Sequence, residues 1–255
     1  MTWPQNGCPL DISIGKVPLS LFIPPGDLRQ RAAMRYQEFT AKSADSLPVF
    51  LRSRNLDPRG DGKFSYALDD ASLELGSSAA EFHGVRHEYA LDSLLRILLT
   101  AVLLPQRGFL LHAASVIRDG CAYVFVGRSG AGKSTVASLS PVGNVLTDEI
   151  SLLRYCDGCW QAFGTPFWGE FRAAGLNRRV PVTGIYFLTQ DREDRFEPLT
   201  AKEILLALLP CVLFFSSDLR ANESLLSTLL DLAGSVPGYR LHFRRSPDFW
   251  RVIAA

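Results

Sequence analysis

GFLLHAASVIRDGCAYVFVGRSGAGKST, Gly108 to Thr135, is the stretch around which the rest of the chain is organised. Its last nine residues, Gly127-Arg128-Ser129-Gly130-Ala131-Gly132-Lys133-Ser134-Thr135, match G-x-x-x-x-G-K-[ST] at every fixed position. Glycine at 127, 130 and 132 lets successive backbone N–H groups turn inward unobstructed, which a cradle for phosphate oxygens requires. Lys133 is then expected to reach the β- and γ-phosphates and the Ser134 hydroxyl to ligate Mg²⁺. A short helix, KSTVASLS before Pro141, adds its positive dipole end. CAYVFVG, 121 to 127, reads as the β-strand entering the loop. The expected ligand is ATP with Mg²⁺.

Working outward, Asp119-Gly120 between two apolar runs is a strong hairpin signal. Pairing Arg118 with Cys121 sets Ala113 opposite Val126 and His112 opposite Gly127. An imidazole would then stand at the mouth of the loop, although a lone histidine in an apolar strand is more often a core residue. The hairpin also restricts the fold, because in common phosphate-loop NTPases the loop strand lies among parallel neighbours joined by helical crossovers. Here its predecessor should be antiparallel. Shortly after the loop, Asn144-Val145-Leu146-Thr147-Asp148-Glu149 puts two carboxylates at a strand end. Asp148 and Glu149 could hold Mg²⁺ and take a proton, the plainer alternative being a polar strand end in solvent.

With 255 residues, 47% hydrophobic and 21% charged, the chain can bury a sizeable core in one or two domains. A formal net charge of +1 without a dense basic run leaves no electrostatic footprint for nucleic acid or an anionic membrane. The N-terminus shows no secretory pattern, so a cytoplasmic location is expected. Ile204 to Phe215, the longest apolar run, is broken by Pro210 and is shorter than the roughly 18 residues that span a bilayer. Five cysteines, an odd number scattered over the chain, do not read as a disulfide framework. Cys156 and Cys159 form a lone C-x-x-C, either half a zinc site or redox pair or, more simply, the flanks of an Asp157-Gly158 hairpin turn.

Residues 1–91 read as a small N-terminal α+β subdomain. ISIGKVPLSLFI and LPVFLRSR are strand-like, with a helix from about Asp27 to Phe39 between them. A loop at Asp57 to Gly62 precedes FSYAL, SLEL and EFHGVRHEYAL, a candidate β-meander. His83 and His87 would be metal ligands only on a helix, and on a strand they merely share a face. The second domain, 92–255, opens with LDSLLRILLTAVLL, a buried helix with Asp92 available as its N-cap. Farther on, PVTGIYFLTQ is a core strand, LTAKEILLALLPCVLFF a buried helix broken near Pro210, and ANESLLSTLLDLAGSV a helix closed by Gly234. In GYRLHFRRS, Tyr239, Leu241 and Phe243 share one face and Arg240, His242 and Arg244 the other, with Arg244 or Arg245 a candidate contact to an anionic substrate.

LHAASVIRDGCAYVFVGRSGAGKST followed by LTDE resembles the catalytic core of the HPr kinase/phosphorylase group and its HPr-kinase-like relatives, related in fold to phosphoenolpyruvate carboxykinase. That resemblance implies an α+β fold with a mixed, largely antiparallel sheet around the phosphate loop. It gives His112 a place before the loop and makes Asp148 and Glu149 the acidic pair of base and metal ligand. Glu170-Phe171-Arg172-Ala173-Ala174-Gly175-Leu176 is similar to the family's E-I-R-G-x-G-[IL] signature, which implies Glu170 and Arg172 at the reacting end.

Two functions follow as expectations. One is an ATP-dependent kinase acting on a hydroxyl, a serine or threonine of a protein or peptide, with Lys133, Asp148, His112, Glu170 and Arg172 around the transferred phosphate. The other is a nucleotide-binding regulatory module that turns ATP over poorly. No nucleic acid or membrane partner is expected, and self-association stays open.

Overall fold

A computed structural model describes residues 8–52, 64–68, 71–141, 143–169 and 175–253, the side chain of Phe64 aside. The fold is mixed α+β with two large mixed sheets. The chain divides into two units, Met1–Val102 and Leu103–Ala255.

In the first unit, β1 (Leu10–Ile14) and β2 (Val17–Phe22) are joined by Gly15 and Lys16 at φ of 61° and 63°, the left-handed pair that a tight hairpin demands. Next come α1 (Asp27–Arg35), β3 (Leu47–Arg52), β4 (Phe64–Leu68), β5 (Ala71–Leu75), β6 (Ala80–His83) and α2 (Glu88–Leu103). Among the described residues the six strands are ordered β1-β2-β3-β6-β5-β4, with β3 parallel to both its neighbours. Ile12, Ile14, Leu19, Leu21, Leu73 and Phe82 alternate along their strands into the core. The expected loop at 57–62 lies outside the described residues.

One stretch departs from the sequence reading. EFHGVRHEYAL is not a single strand: β6 ends at His83, and α2 has begun by Glu88. Asp92 is no N-cap but lies inside α2, 2% exposed, where Arg35 Nε donates to its Oδ1 at 2.9 Å and Arg35 Nη2 to its Oδ2. Tyr36 donates its hydroxyl to the same Oδ1 at 2.6 Å. Burial, and then the Asp92 charge, push the Tyr36 phenol well above its usual range. These bonds tie α2 to α1, and the contacts of α2 up to Val102 group with the first unit.

The second unit contains β7 (Gly108–Arg118), β8 (Cys121–Val126), α3 (Lys133–Ser138), β9 (Val145–Thr147), β10 (Ile150–Cys156), β11 (Cys159–Phe163) and β12 (Arg179–Gln190). It continues with β13 (Arg195–Leu199), α4 (Ala201–Leu208), β14 (Val212–Leu213), α5 (Leu219–Ser235), β15 (Gly238–Phe243) and α6 (Phe249–Ile253). Among the described residues its sheet has nine strands, with the main path β11-β10-β7-β8-β12-β15-β13. Asp119 and Gly120 take φ of 51° and 77°, and β7 pairs antiparallel with β8 from Arg118–Cys121 to Ala113–Val126, the register that the turn requires. β12 is parallel to β8 and β15. Leu111, Ala113, Val124 and Val126 share a core with Leu208 of α4 and Leu229 of α5. Ala114, Val116 and Phe125 point the other way, into a core with Val136, Phe243 and Phe249.

The run LTAKEILLALLPCVLFF breaks near Pro210 as expected, but a strand rather than more helix follows the break. Its helix, started by a reciprocal Thr200–Glu203 capping box, lasts only from Ala201 to Leu208. Pro210 has no N–H to continue the helix, and after a 3-10 turn at Leu209–Cys211 the chain becomes β14, in which Val212 and Leu213 pair with β7. Gly234 lies within α5 rather than beyond it.

β7 serves different partners along its length. On one flank β10 pairs with Gly108–His112 and β9 with Ser115 and Val116. On the other, β8 takes Ala113–Arg118 and β14 takes Leu110 and Leu111. His112 therefore stands where β8 has left the sheet and β14 has not yet joined it.

Removing one member of a buried ion pair leaves the other charged and unsolvated. Asp92→Ala is therefore expected to destabilise the first unit by about 3–5 kcal/mol, read as a lowered urea midpoint of the full chain. A loss below about 1 kcal/mol would mean that the pair holds no more than a surface ion pair does.

Candidate functional site

The loop between β8 and α3 turns on its glycines. Gly130 and Gly132 take φ of +79° and +108°, and a Cβ on Gly132 would stand 2.5 Å from Phe243 Cζ. A Cβ on Gly127 would meet that of Ala131 at 2.6 Å. Lys133 Nζ donates to the carbonyls of Gly127 and Arg128 at 2.8 and 3.2 Å, folding the side chain back along the loop. Gln190, the last residue of β12, donates Nε2 to the Gly130 carbonyl at 2.7 Å.

Asp148 and Glu149 fill the turn from β9 to β10. That turn is pinned to β7, since Ala113 N–H donates to the Glu149 carbonyl at 3.0 Å and Ile150 pairs with His112. Behind it, buried Ser151 donates its hydroxyl to the Ala113 carbonyl at 2.9 Å and lies 2.7 Å from the Ser115 hydroxyl, while Thr165 donates to the Ile150 carbonyl at 2.7 Å. Asp148 is buried, and its Oδ1 accepts the Gly169 N–H at 3.1 Å. A Cβ on Gly169 would come within 3.1 Å of Asp148 Oδ2 and 3.0 Å of Glu149 Oε2. Both carboxylates thus lie against the same glycine.

These elements enclose one cavity of about 780 Å³, a size typical of small-molecule sites. Gly127 to Gly130 and Gly132 to Thr135 line one side, and His112, Asp148, Glu149 and Gly169 line another, with Gln190, Pro210 and Cys211 completing the wall. His112 is exposed at this cavity rather than buried in the core. Backbone amides and two cations, Arg128 and Lys133, share the cavity with two carboxylates, so it can hold an anion and accept a proton in one place. The oxygen set of Ser134, Asp148 and Glu149 is the hard donor chemistry of Mg²⁺. Among the described residues there is no group of three or more His, Cys, Asp or Glu that could hold a metal, so remaining ligands would come from bound phosphate and water.

Glu170 and Arg172 lie outside the described residues. Gln190, Gly169 and Cys211 were not singled out from the sequence. The one signal for Cys211 was Pro210 interrupting an apolar helix. Burial pushes the Cys211 thiol up, opposed by the positive charges of Lys133 and Arg128.

The other candidates lie elsewhere. Cys156 and Cys159 pair across β10 and β11 around Asp157 and Gly158, both at positive φ, the geometry of turn flanks. His83 neighbours Glu81 at 3.6 Å, and His87 precedes α2 and accepts the Ala90 N–H at 3.1 Å, so their four-residue spacing creates no shared face. Arg244 is engaged by Asp194 at 2.8 Å and Asp248 at 3.3 Å, and neither it nor Arg245 lines the cavity.

The chain belongs to the family described as SynChlorMet cassette protein ScmC, whose model matches residues 89–255. This corrects the resemblance to the HPr kinase/phosphorylase group. That likeness rested on a hairpin, a phosphate-loop pattern and an acidic pair, short features set by local geometry, whereas the ScmC match spans the second unit. No curated protein matches the chain.

The two φ-positive glycines of the loop should respond differently to alanine. Gly130→Ala meets open space and is expected to cost about 1–2 kcal/mol of backbone strain. Gly132→Ala must also displace the Phe243 ring and should cost about 1–3 kcal/mol more. Thermal unfolding of the two variants compares them directly, and equal losses would contradict the packing of the loop on β15.

Proposed function

We propose that the second unit is a phosphate-loop phosphotransferase that moves the γ-phosphate of ATP to a hydroxyl, a serine or threonine of a protein or peptide. The observation that carries this reading is the shared cavity, in which a loop of phosphate-cradling sequence faces a buried carboxylate held by a backbone N–H.

In this reading Lys133 exchanges its loop carbonyls for the β- and γ-phosphate oxygens, and the amides of 127–135 take the remaining phosphate charge. Ser134 and Glu149 would hold Mg²⁺, which supplies positive charge to the phosphate oxygens when bound. Oriented by the Gly169 N–H, the Asp148 carboxylate takes the proton of the acceptor hydroxyl. The acceptor oxygen forms the new bond to the γ-phosphorus as the bond from that phosphorus to the β,γ-bridging oxygen breaks, its electron pair leaving with ADP. His112, at the mouth, hydrogen-bonds the incoming group or the phosphoryl oxygens.

Lys133→Ala is expected to lose about 2–4 kcal/mol of MgATP affinity in calorimetry with the fold intact, several charge-assisted bonds being removed together. Asp148→Asn separates chemistry from binding. Transfer of labelled γ-phosphate to polypeptides encoded beside this one should fall about 10²-fold or more while MgATP affinity changes far less. A magnesium titration alongside shows whether metal binding was lost as well. Equal slow turnover in parent and variant, with no acceptor labelled, would favour an ATP-binding regulatory module.

A further inference from the structure

Eight large apolar side chains are exposed among the described residues, and five of them, Leu206, Leu209, Leu219, Leu226 and Leu230, lie on α4, the turn after it and α5. That concentration in one part of the second unit separates them from the scattered exposed apolar groups of any surface. Leu219, Leu226 and Leu230, at spacings of seven and four, form one stripe along α5, and Leu206 and Leu209, three apart, span the end of α4 and the 3-10 turn that follows it. Ile204, Leu208, Leu225 and Leu229, on other faces of the same helices, enter one common core with Leu111, Ala113, Val124 and Val126 of β7 and β8. Both helices therefore pack on the same side of the sheet and leave their stripes exposed.

Two further observations say what covers this surface. Charges on the two helices nearly cancel, Lys202 and Arg220 against Glu203 and Glu223, with Asp231 held by Arg107 at 2.7 Å. An anionic membrane or a nucleic acid would call for basic side chains where leucines stand. The surface also runs to the cavity, because Leu209 is followed directly by Pro210, which is exposed and lines the cavity wall.

We propose that the α4–α5 face docks the polypeptide that carries the acceptor hydroxyl, its apolar side chains covering the leucine stripes while its serine or threonine enters the cavity past Pro210. This rests on the phosphotransfer reading above.

The test uses the full chain and a pair of synthetic peptides, each with a central serine. One carries leucines at positions i, i+3, i+4 and i+7, and its twin has asparagine at each. Fluorescence anisotropy is expected to show the leucine peptide binding at least about tenfold more tightly than its twin. That preference should be lost in L206N/L209N and, independently, in L226N/L230N, as expected for apolar side chains returned to water. MgATP affinity, unchanged in both variants, reports that they are folded. Equal binding of the two peptides, or full binding by both variants, would overturn the proposal. So would a parent chain that sediments as a dimer and a variant that sediments as a monomer, since the face would then serve self-association. If the leucine peptide docks but receives no phosphate, the docking face stands and the phosphotransfer reading fails. If both peptides are phosphorylated with equal KM, the reverse holds.

Discussion

The second unit depends on one interruption in its sheet. Opposite His112 on one flank of β7, β8 has left and β14 has not arrived, so the sheet cannot close there. The chain that leaves becomes the loop from Gly127, and the chain that arrives brings Pro210 and Cys211, all lining one cavity. On the opposite flank β10 pairs with β7 up to His112, and Ala113 and Ile150 fix the turn with Asp148 and Glu149. A crevice where neighbouring strands part company is where open sheets generally bind ligands. Here it arises from a change of strand partner on one long strand rather than from a reversal of strand order.

The hairpin half of this arrangement was legible in the sequence, because Asp119-Gly120 admits one tight turn and the register then follows by counting. The placement of His112 at the cavity came with it. The other half was not legible. β14 is two residues long and sits inside LLPCVLFF, where an apolar run gives no periodicity to separate strand from helix. Without β14 there was no reason to look at Cys211, and Gln190 and Gly169 act through long-range contacts that local pattern does not encode. Asp92 shows the same limit in the first unit. It has the residue type and place of a cap, but Arg35 and Tyr36, far away in sequence, decide its role.

The family correction has a physical side too. A glycine pattern, a two-residue turn and an acidic pair are short features set by local geometry, so likeness in them does not by itself show a family. Membership in the ScmC family rests instead on a match over residues 89–255. The functional reading stands on the cavity and its residues.

Most direct is a crystal structure of the full chain with Mg²⁺ and a non-hydrolysable ATP analogue. The expected result is that Lys133 Nζ leaves the carbonyls of Gly127 and Arg128 for the β- and γ-phosphates, at about 2.7–2.9 Å, with Ser134 Oγ on the metal and Asp148 facing the γ-phosphate. An analogue bound away from the 127–135 loop, or bound with Lys133 still on its loop carbonyls, would contradict the account.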